Sequence, residues 1–256
     1  MSLVVENLSF SYGQRRVLEG VSFTAEAGEL LAVLGPNGVG KTTLFQCIMG
    51  LDRRYRGRVL ADGADLSALS PRERAHRVAA IPQVHPLSFR YRVFDMVLMG
   101  TSHALSPLAL PGARERAAAR DALARVNIAP LAERPFDQLS GGEQQLVFIA
   151  RALAQQAKIL LMDEPTASLD YGNRLLVLDV ARDLVRDGYT VLLSTHDPQH
   201  ALWYADRALA LQAGRVLALG APREVLTGAL LAQLYGRRIA LVDTVRGPVL
   251  VPEGDG

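Results

Sequence analysis

A glycine-rich turn between an apolar stretch and a helix constrains this chain more than any other feature. Residues 35–43 read Gly-Pro-Asn-Gly-Val-Gly-Lys-Thr-Thr, directly after the strand-like run 30–34, and match Gly-x4-Gly-Lys-[Ser/Thr]. Glycines let the backbone turn its N–H groups inward around an anion, and the following helix directs its positive end to the same point. The predicted phosphate-binding residues are Gly35, Pro36, Asn37, Gly38, Val39, Gly40, Lys41, Thr42 and Thr43.

Two side chains of this loop add further chemistry. Lys41 supplies a cation and Thr42 supplies a hydroxyl that can ligate Mg²⁺. The chain has 28 lysines and arginines, yet lysine occurs only at Lys41 and Lys158. A lysine at this position indicates that a compact ammonium is needed where a planar guanidinium would fit poorly among phosphate oxygens. We therefore predict a nucleoside triphosphate with Mg²⁺ as the ligand.

Size and charge exclude several classes of protein. With 256 residues, 49% of them hydrophobic, the chain can bury a substantial core as one large domain or two small ones. Its formal net charge of +2 is too small for a whole-chain attraction to nucleic acid or anionic lipid. We predict no nucleic-acid partner.

The cysteine count and the hydropathy pattern bear on the cellular setting. Cys47 is the single cysteine, which excludes an intrachain disulfide and favours a buried thiol in a reducing compartment. No apolar run reaches the roughly 18 residues of a membrane-spanning helix, and no signal peptide is recognisable. If the protein works at a membrane, we expect separate subunits to supply the membrane part.

Alternating periodicities predict an α/β protein. Strands are predicted at 3–10, 17–25, 30–34, 58–61, 78–82, 159–162, 190–194, 208–211 and 215–219, and helices at 114–126, 141–155, 173–186 and 199–205. The strand-helix alternation after residue 140 implies a parallel sheet. We predict a domain over residues 1–235 with a helical subdomain inserted at about 84–155, followed by a loosely attached tail, 236–256.

A second group of candidate site residues follows an apolar run. Ile159 to Met162 is apolar throughout and ends in Asp163 and Glu164, as expected of a buried parallel strand that delivers charge at its carboxyl end. Alone, this pattern fits an exposed strand-to-turn junction equally well. Together with the phosphate loop it predicts that Asp163 holds magnesium and that Glu164, on the other face of the strand, polarises the attacking water.

Residues 139–143 read Leu-Ser-Gly-Gly-Glu. Ser140 with Glu143 three residues later forms a helix-capping box, which is a sufficient structural reading. The two glycines also expose backbone N–H groups to a phosphate, so both readings can hold at once. Lying between the phosphate loop and Asp163, this segment resembles the signature of ABC-type ATPases, and the resemblance spans about residues 1–235.

Other elements of that family fall in the same order along the chain. The resemblance implies that Tyr12 stacks on adenine, that Gln83 senses magnesium and the γ-phosphate, and that His196 contacts the γ-phosphate. Read alone, each of these three fits an ordinary strand or turn residue better. The remaining family positions are Ser140, Gly141, Gly142 and Glu143 of the signature, which bind the nucleotide, and Asp170 of the loop that crosses the dimer interface.

The resemblance also implies a fold and a mechanism. The fold is a P-loop NTPase ABC ATPase cassette with a parallel-sheet core, an N-terminal antiparallel β region and an inserted helical subdomain. Two copies are expected to pack head to tail, with each ATP between the phosphate loop of one and the signature of the other. Glu164, His196 and Lys41 are the expected catalytic residues, and Thr42, Gln83 and Asp163 the expected Mg²⁺ ligands.

Several segments resemble one branch of the family. The similarity is to ATPases that import iron chelates, haem or cobalamin, and it lies in residues 97–100, 169–173 and 195–202. Molybdate or tungstate ATPases are similar in the same segments. Zinc and manganese importers share residues 97–100. The expected partners are integral membrane permease subunits, which dock near the apolar segment 84–100, and indirectly a periplasmic or surface substrate-binding protein. The expected location is the cytoplasmic face of the inner membrane.

One alternative of a different class stays open. A soluble ABC ATPase that remodels a macromolecule without a membrane partner has the same catalytic residues.

Four histidines match no family position: His76, His85, His103 and His200. We expect them to be structural or surface residues, and we expect no metal site beyond nucleotide-bound magnesium.

Overall fold

The computed structural model describes residues 1–82, 90–106, 109–245 and 247–253. Its strands are β1 (Leu3–Tyr12), β2 (Arg15–Ala25), β3 (Leu30–Leu34), β4 (Arg56–Ala61), β5 (Ala64–Asp65), β6 (Val78–Ile81), β7 (Ile159–Asp163), β8 (Thr190–Thr195), β9 (Arg207–Gln212), β10 (Arg215–Gly220), β11 (Ile239–Thr244) and β12 (Gly247–Pro252). The predicted strands are all present, with ends that differ by at most two residues.

The helices are α1 (Lys41–Met49), α2 (Pro71–Ala75), α3 (Val93–Leu98), α4 (Ala113–Arg125), α5 (Gly141–Ala154), α6 (Tyr171–Arg186), α7 (Pro198–Tyr204), α8 (Pro222–Val225) and α9 (Gly228–Tyr235). Short 3-10 helices cover Met99–Ala104, Ala129–Leu131 and Phe136–Gln138. Within the described ranges, none of the helices combines the length and apolarity needed to cross a bilayer.

The central sheet has the strand order β10-β9-β3-β8-β7-β6. From β9 to β6 neighbouring strands are parallel, and β10 joins the edge antiparallel to β9. Strand β3 is buried along its whole length, because helices or a second sheet cover both faces of a parallel sheet. This order places the carboxyl ends of β3, β8 and β7 side by side, where ligands of such sheets bind.

A second, antiparallel sheet with the order β2-β1-β4-β5 packs over one face of the central sheet, and α1 lies between them. Leu44 and Ile48 of α1 share one apolar cluster with Val5 of β1 and Leu161 of β7. The alternate residue Leu160 faces the other side, in the cluster formed with α3 to α6. This two-sided burial explains why β7 reads as a continuous apolar run.

Helices α3, α4 and α5 lie between β6 and β7 in the chain and pack on one another. Helix α5 begins with the predicted capping box: Glu143 N–H donates to Ser140 Oγ at 3.3 Å, and Ser140 N–H donates to Glu143 Oε2 at 2.8 Å. The predicted fold class, with a parallel core, an antiparallel N-terminal region and an inserted helical part, is confirmed.

The C-terminal segment differs from the expectation of a loose tail. Strands β11 and β12 form a hairpin that docks on α7. Gln199 Nε2 donates to Pro248 O at 3.0 Å, Gln199 Oε1 accepts from Leu250 N–H at 2.9 Å, and Trp203 Nε1 also donates to Pro248 O, at 3.1 Å. The expectation failed because one glutamine side chain satisfies the backbone of β12 as a neighbouring strand would. The predicted domain boundary at residue 235 stays a prediction.

Candidate functional site

The loop between β3 and α1 has a backbone that only glycine accommodates well. Gly35, Gly38 and Gly40 have φ angles of +156°, +79° and +113°. A Cβ on Gly35 would lie 2.4 Å from Leu211 O, so a larger residue would collide with the backbone of β9. Gly40 caps α1 with no side-chain hydrogen bond, and the first turn has no acidic residue. The first N–H groups of α1 therefore remain available to an anion.

The ammonium of Lys41 is held inside this loop. The residue is only 5% exposed, and its Nζ donates to Gly35 O at 2.7 Å and to Pro36 O at 3.2 Å. Nζ also lies 3.1 Å from Glu164 Oε1. The carboxylate balances a nearly buried positive charge, which reduces the cost of removing that charge from water.

Two carboxylates stand at the end of β7, and a serine of β8 links them. Ser194 Oγ donates to Asp163 Oδ1 at 2.6 Å and accepts from Glu164 N–H at 2.9 Å. The strand ends at Asp163, and Glu164 adopts a left-handed conformation with φ of +46°. The prediction placed Glu164 on the other face of the strand, but Glu164 lies outside the strand. The left-handed turn at Glu164, and not the alternation of a strand, sets the direction of its side chain relative to Asp163.

Glu164 is ionised because of its neighbours. Burial opposes its charge, but hydrogen bonding to Lys41, the Lys41 charge and the hydrogen bond with His196 outweigh burial and hold the pKa of this carboxyl below its usual value. His196 Nδ1 lies 2.9 Å from Glu164 Oε2. Glu164 can therefore accept a proton at neutral pH, and His196 orients its second oxygen.

These groups face one cavity of about 650 Å³. The residues that line it are Tyr12, Arg15, Val17, Asn37, Gly38, Gly40, Lys41, Thr42, Thr43, Asp163, Glu164, Thr166, Ala167, Ser168, Arg174, His196, Asp197 and His200. Tyr12 is 47% exposed, its hydroxyl donates to Gln46 Oε1 at 3.2 Å, and its ring is in edge-to-face contact with Phe10 at a centroid distance of 4.8 Å. The structure thus brings together predicted residues from β1, the phosphate loop, β7 and the end of β8.

Other predicted site residues lie elsewhere. Ser140 and Gly141 begin α5 and are not among the residues that line this cavity; a Cβ on Gly142 would lie 2.2 Å from Asn173 Oδ1. Asp170 caps α6, where its Oδ1 accepts from Asn173 N–H at 2.9 Å. The signature and the loop after Glu164 therefore pack against each other. Glu143 serves the capping box, and Gln83 lies outside the described residues.

Several residues of the site were not predicted from the sequence. Ser194 contacts both carboxylate residues from beneath the surface, and Asp197 lines the cavity. Both lie near His196 in the sequence, and the polar end of the apolar strand β8 was the signal that could have identified them. His200 was assigned a structural role; it is 9% exposed and its Nδ1 lies 3.2 Å from Thr195 Oγ1, but it also lines the cavity. Arg174 gave no local signal, because only the fold of α6 brings it to this cavity.

The donor set fits a nucleoside triphosphate with magnesium. Free helical N–H groups and an ammonium suit phosphate oxygens, and the Thr42 hydroxyl with the Asp163 carboxylate suits a hard cation that prefers oxygen ligands. Among the described residues, no group of three or more His, Cys, Asp or Glu side chains could hold a metal ion. A magnesium ion in this cavity would therefore share its coordination with phosphate oxygens, as it commonly does.

Comparison with known sequences gives consistent matches. The family model described as ABC transporter matches residues 18–167. The hemin import ATP-binding protein HmuV of Myxococcus xanthus is 41% identical over 263 aligned residues, which cover 99% of this chain and 98% of that protein. A protein of Helicobacter pylori described as an iron chelatin transport ATP-binding protein is 37% identical, covering 86% of this chain and 89% of its own.

Solved structures agree over nearly the whole chain. A structure described as an inward-facing metal-chelate type ABC transporter is 32% identical with a TM-score of 0.87, and the match covers 99% of this chain and 98% of that one. An ATP-binding cassette of an ABC transporter in its ADP conformation is 28% identical with a TM-score of 0.81, covering 92% and 98%. The docked C-terminal hairpin lies within the part that the first of these matches.

Proposed function

This chain belongs to the ABC transporter family, and we propose that it is the ATP-hydrolysing subunit of an importer that takes up hemin or another iron chelate through separate membrane subunits. One observation carries the catalytic part: a single cavity joins the phosphate loop to Asp163, Glu164 and His196. The substrate class rests on relatives that are named for hemin and iron chelatin transport.

The proposed hydrolysis assigns one task to each group. The N–H groups at the start of α1 and the Lys41 ammonium bind the phosphates, while Thr42 and Asp163, with Gln83 as a further predicted ligand, hold Mg²⁺. When bound there, Mg²⁺ would supply positive charge that neutralises the phosphate oxygens. Glu164 accepts the proton of the attacking water, and His196 orients that carboxylate. Phosphate oxygens compete with Glu164 for Lys41, so binding of the nucleotide releases the carboxylate for this task.

A second copy of the chain would complete the site. Ser140, Gly141 and Gly142 form a capped helix start that does not line the cavity of their own chain, as required if they bind the nucleotide of a head-to-tail partner. Near them, Tyr171 is 67% exposed and Leu176 is 44% exposed on α6. Apolar side chains exposed beside a phosphate-binding segment support a dimer interface at this position.

The membrane subunit would dock in a groove beside the inserted helices. This groove has a volume of about 650 Å³ and includes Met49, Leu51, Met99 and Gln155 in its lining. Leu51 is 72% exposed and Met99 is 42% exposed. Exposed leucine and methionine side chains around a concave surface suit an amphipathic helix of a partner. Peripheral attachment to the cytoplasmic membrane face follows from such docking, and a substrate-binding protein would act on the other side.

Co-purification tests the transport role. The chain is expressed with its genomic neighbours, extracted in mild detergent and isolated by a tag, and the associated proteins are identified by mass spectrometry. Recovery of a polytopic permease, and ATPase activity that rises with hemin-loaded binding protein in liposomes, are the expected results. Stimulation by molybdate or zinc would reassign the substrate. Recovery of only ribosomal or DNA-bound partners would instead favour a soluble remodelling ATPase.

Replacement of one atom tests the catalytic assignment. Glu164→Gln removes the proton acceptor while keeping the shape of the side chain, and we expect ATP hydrolysis to fall by roughly 100-fold or more. The variant should also accumulate as an ATP-bound dimer in size-exclusion chromatography with light scattering. Normal turnover in this variant would remove Glu164 from its proposed role. Glu115→Gln serves as the control, because this glutamate caps α4 and does not line the cavity.

A further inference from the structure

Two histidines outside the nucleotide cavity lie in direct contact. His103 Nε2 and His76 Nδ1 are 3.2 Å apart, and the rings are nearly perpendicular, with centroids separated by 4.4 Å and an interplanar angle of 79°. His76 follows the last turn of α2, while His103 belongs to the 3-10 helix Met99–Ala104. The contact therefore joins a helix beside the central sheet to the inserted helical part.

The hydrogen-bond pattern fixes which nitrogen atoms have lone pairs. His103 Nδ1 lies 3.2 Å from Gly100 O, and a carbonyl can only accept, so Nδ1 carries the hydrogen. His103 Nε2 is then an acceptor, and it receives a hydrogen bond from His76 Nδ1. A backbone carbonyl that holds one ring nitrogen in this way is the usual support of a histidine that ligates a metal.

The spacing of the two nitrogens suits two ligands of one cation. Two Zn–N bonds of about 2.0–2.1 Å at the tetrahedral angle place their nitrogens about 3.3–3.4 Å apart, and the observed separation is 3.2 Å. His76 is exposed and His103 is half-buried, so a cation can reach the pair from solvent. We propose that His76 and His103 form a binding site for a divalent transition-metal cation of the imidazole-preferring class, such as Zn²⁺.

The charge balance of the step is simple. When the cation binds, the hydrogen of His76 moves from Nδ1 to Nε2, so both facing nitrogens present a lone pair and no proton leaves the pair. The lone pair of His103 Nε2 is available because Nδ1 of the same ring carries its hydrogen toward Gly100 O. Solvent fills the remaining coordination positions.

A neighbouring arginine, Arg72, offers a matched control. The Arg72 guanidinium, on the same face of α2 as His76, donates to Leu105 O beyond the 3-10 helix. It makes a second link between the same two elements without providing a metal ligand. Arg72→Ala therefore removes a comparable contact and a nearby positive charge, and this variant should bind the cation at least as tightly as the wild-type chain.

The test uses the full-length chain and ZnCl2. Isothermal titration should show Zn²⁺ binding in wild type and Arg72→Ala, with one site fewer per chain in His76→Ala and in His103→Ala. At a Zn²⁺ concentration about 100 times Kd, this site should raise Tm by up to roughly 5–10 °C, a shift that the histidine variants lack. Magnesium-dependent ATPase activity without Zn²⁺ should be the same in all four proteins, which shows that the variants fold.

Two results would overturn the assignment. Equal Zn²⁺ stoichiometry in wild type and both histidine variants would place binding elsewhere, for example at the carboxylates and histidines of the nucleotide cavity. The absence of any binding by the wild-type chain would show that the pair is only a hydrogen bond. Neither outcome affects the proposed ATP hydrolysis, because no histidine of this pair lines the nucleotide cavity.

Discussion

Replacing Ser194 with alanine should damage both stability and turnover, although this residue carries no charge. Ser194 is fully buried, and its hydroxyl both donates to Asp163 Oδ1 and accepts from Glu164 N–H. The variant Ser194→Ala removes both hydrogen bonds at almost constant shape. We therefore expect the loss of stability to come from polar groups that lose their hydrogen-bond partner, and not from an empty cavity.

The magnitude follows from these two bonds. A hydrogen bond to a charged group contributes about 1.5–3 kcal/mol, and a buried N–H left without a partner costs about 1–3 kcal/mol. Since Asp163 can recover part of its solvation from the cavity, we expect Ser194→Ala to lower the free energy of unfolding by about 2–4 kcal/mol. The left-handed conformation of Glu164 costs the folded state about 1 kcal/mol, and relaxation of that strain in the variant offsets part of the loss.

The effect on catalysis is positional. Displacement of a catalytic group by about 1 Å can reduce the rate by roughly 100-fold, so kcat of Ser194→Ala should fall between about 10-fold and 100-fold. The Mg²⁺ concentration for half-maximal activity should also rise, because Asp163 loses its orientation. Urea unfolding followed by far-UV circular dichroism measures stability, and phosphate release at varied Mg²⁺ measures turnover.

Ser22→Ala is the matched control. Its hydroxyl accepts from Asn7 N–H at 2.8 Å at an exposed position of the antiparallel sheet, and Ser22 does not line the cavity. This variant should lose at most about 1 kcal/mol and keep its turnover. If Ser194→Ala unfolds within about 0.5 kcal/mol of wild type and hydrolyses ATP normally, the serine does not position the two carboxylates and the reasoning fails.

Three further measurements follow from the structure. Gly35→Ala should lose nucleotide binding and at least ~1–3 kcal/mol of stability, because its Cβ meets the Leu211 carbonyl; Gly188→Ala, with open space around it, should keep binding. Gln199→Ala should release the C-terminal hairpin, and unchanged proteolysis there would contradict its docking role. Because the pKa of Glu164 is lowered, kcat/KM should stay constant as the pH falls until the solution becomes more acidic than the usual glutamate range. A decrease of kcat/KM near pH 6 would contradict the role of Glu164 as the proton acceptor.

Local sequence patterns predicted the backbone well. The strand 30–34, the loop, and the helix that stops at Gly50 are present as expected, since glycine conformations, apolar periodicity and helix stops act over a few residues. The capping box at Ser140 followed from the same kind of short-range information. The ordered motifs also identified the family before any comparison.

Contacts between distant segments could not be predicted in this way. Ser194 contacts Asp163, 31 residues away in the chain, because β7 and β8 are neighbours in the sheet. The sequence of a single strand does not determine which strand lies next to it. The same limit explains the left-handed turn at Glu164, which places its carboxylate on Lys41.

The sequence by itself therefore determined most of the strands, the phosphate loop and the family, because each depends on residue types at short, fixed spacing. Tertiary structure alone decided that the hairpin docks on Gln199, that the signature does not line the cavity of its own chain, and that His76 contacts His103. The physical reason is that these contacts join groups far apart in the chain, and only the packing of the two sheets and the inserted helices brings them within hydrogen-bond distance.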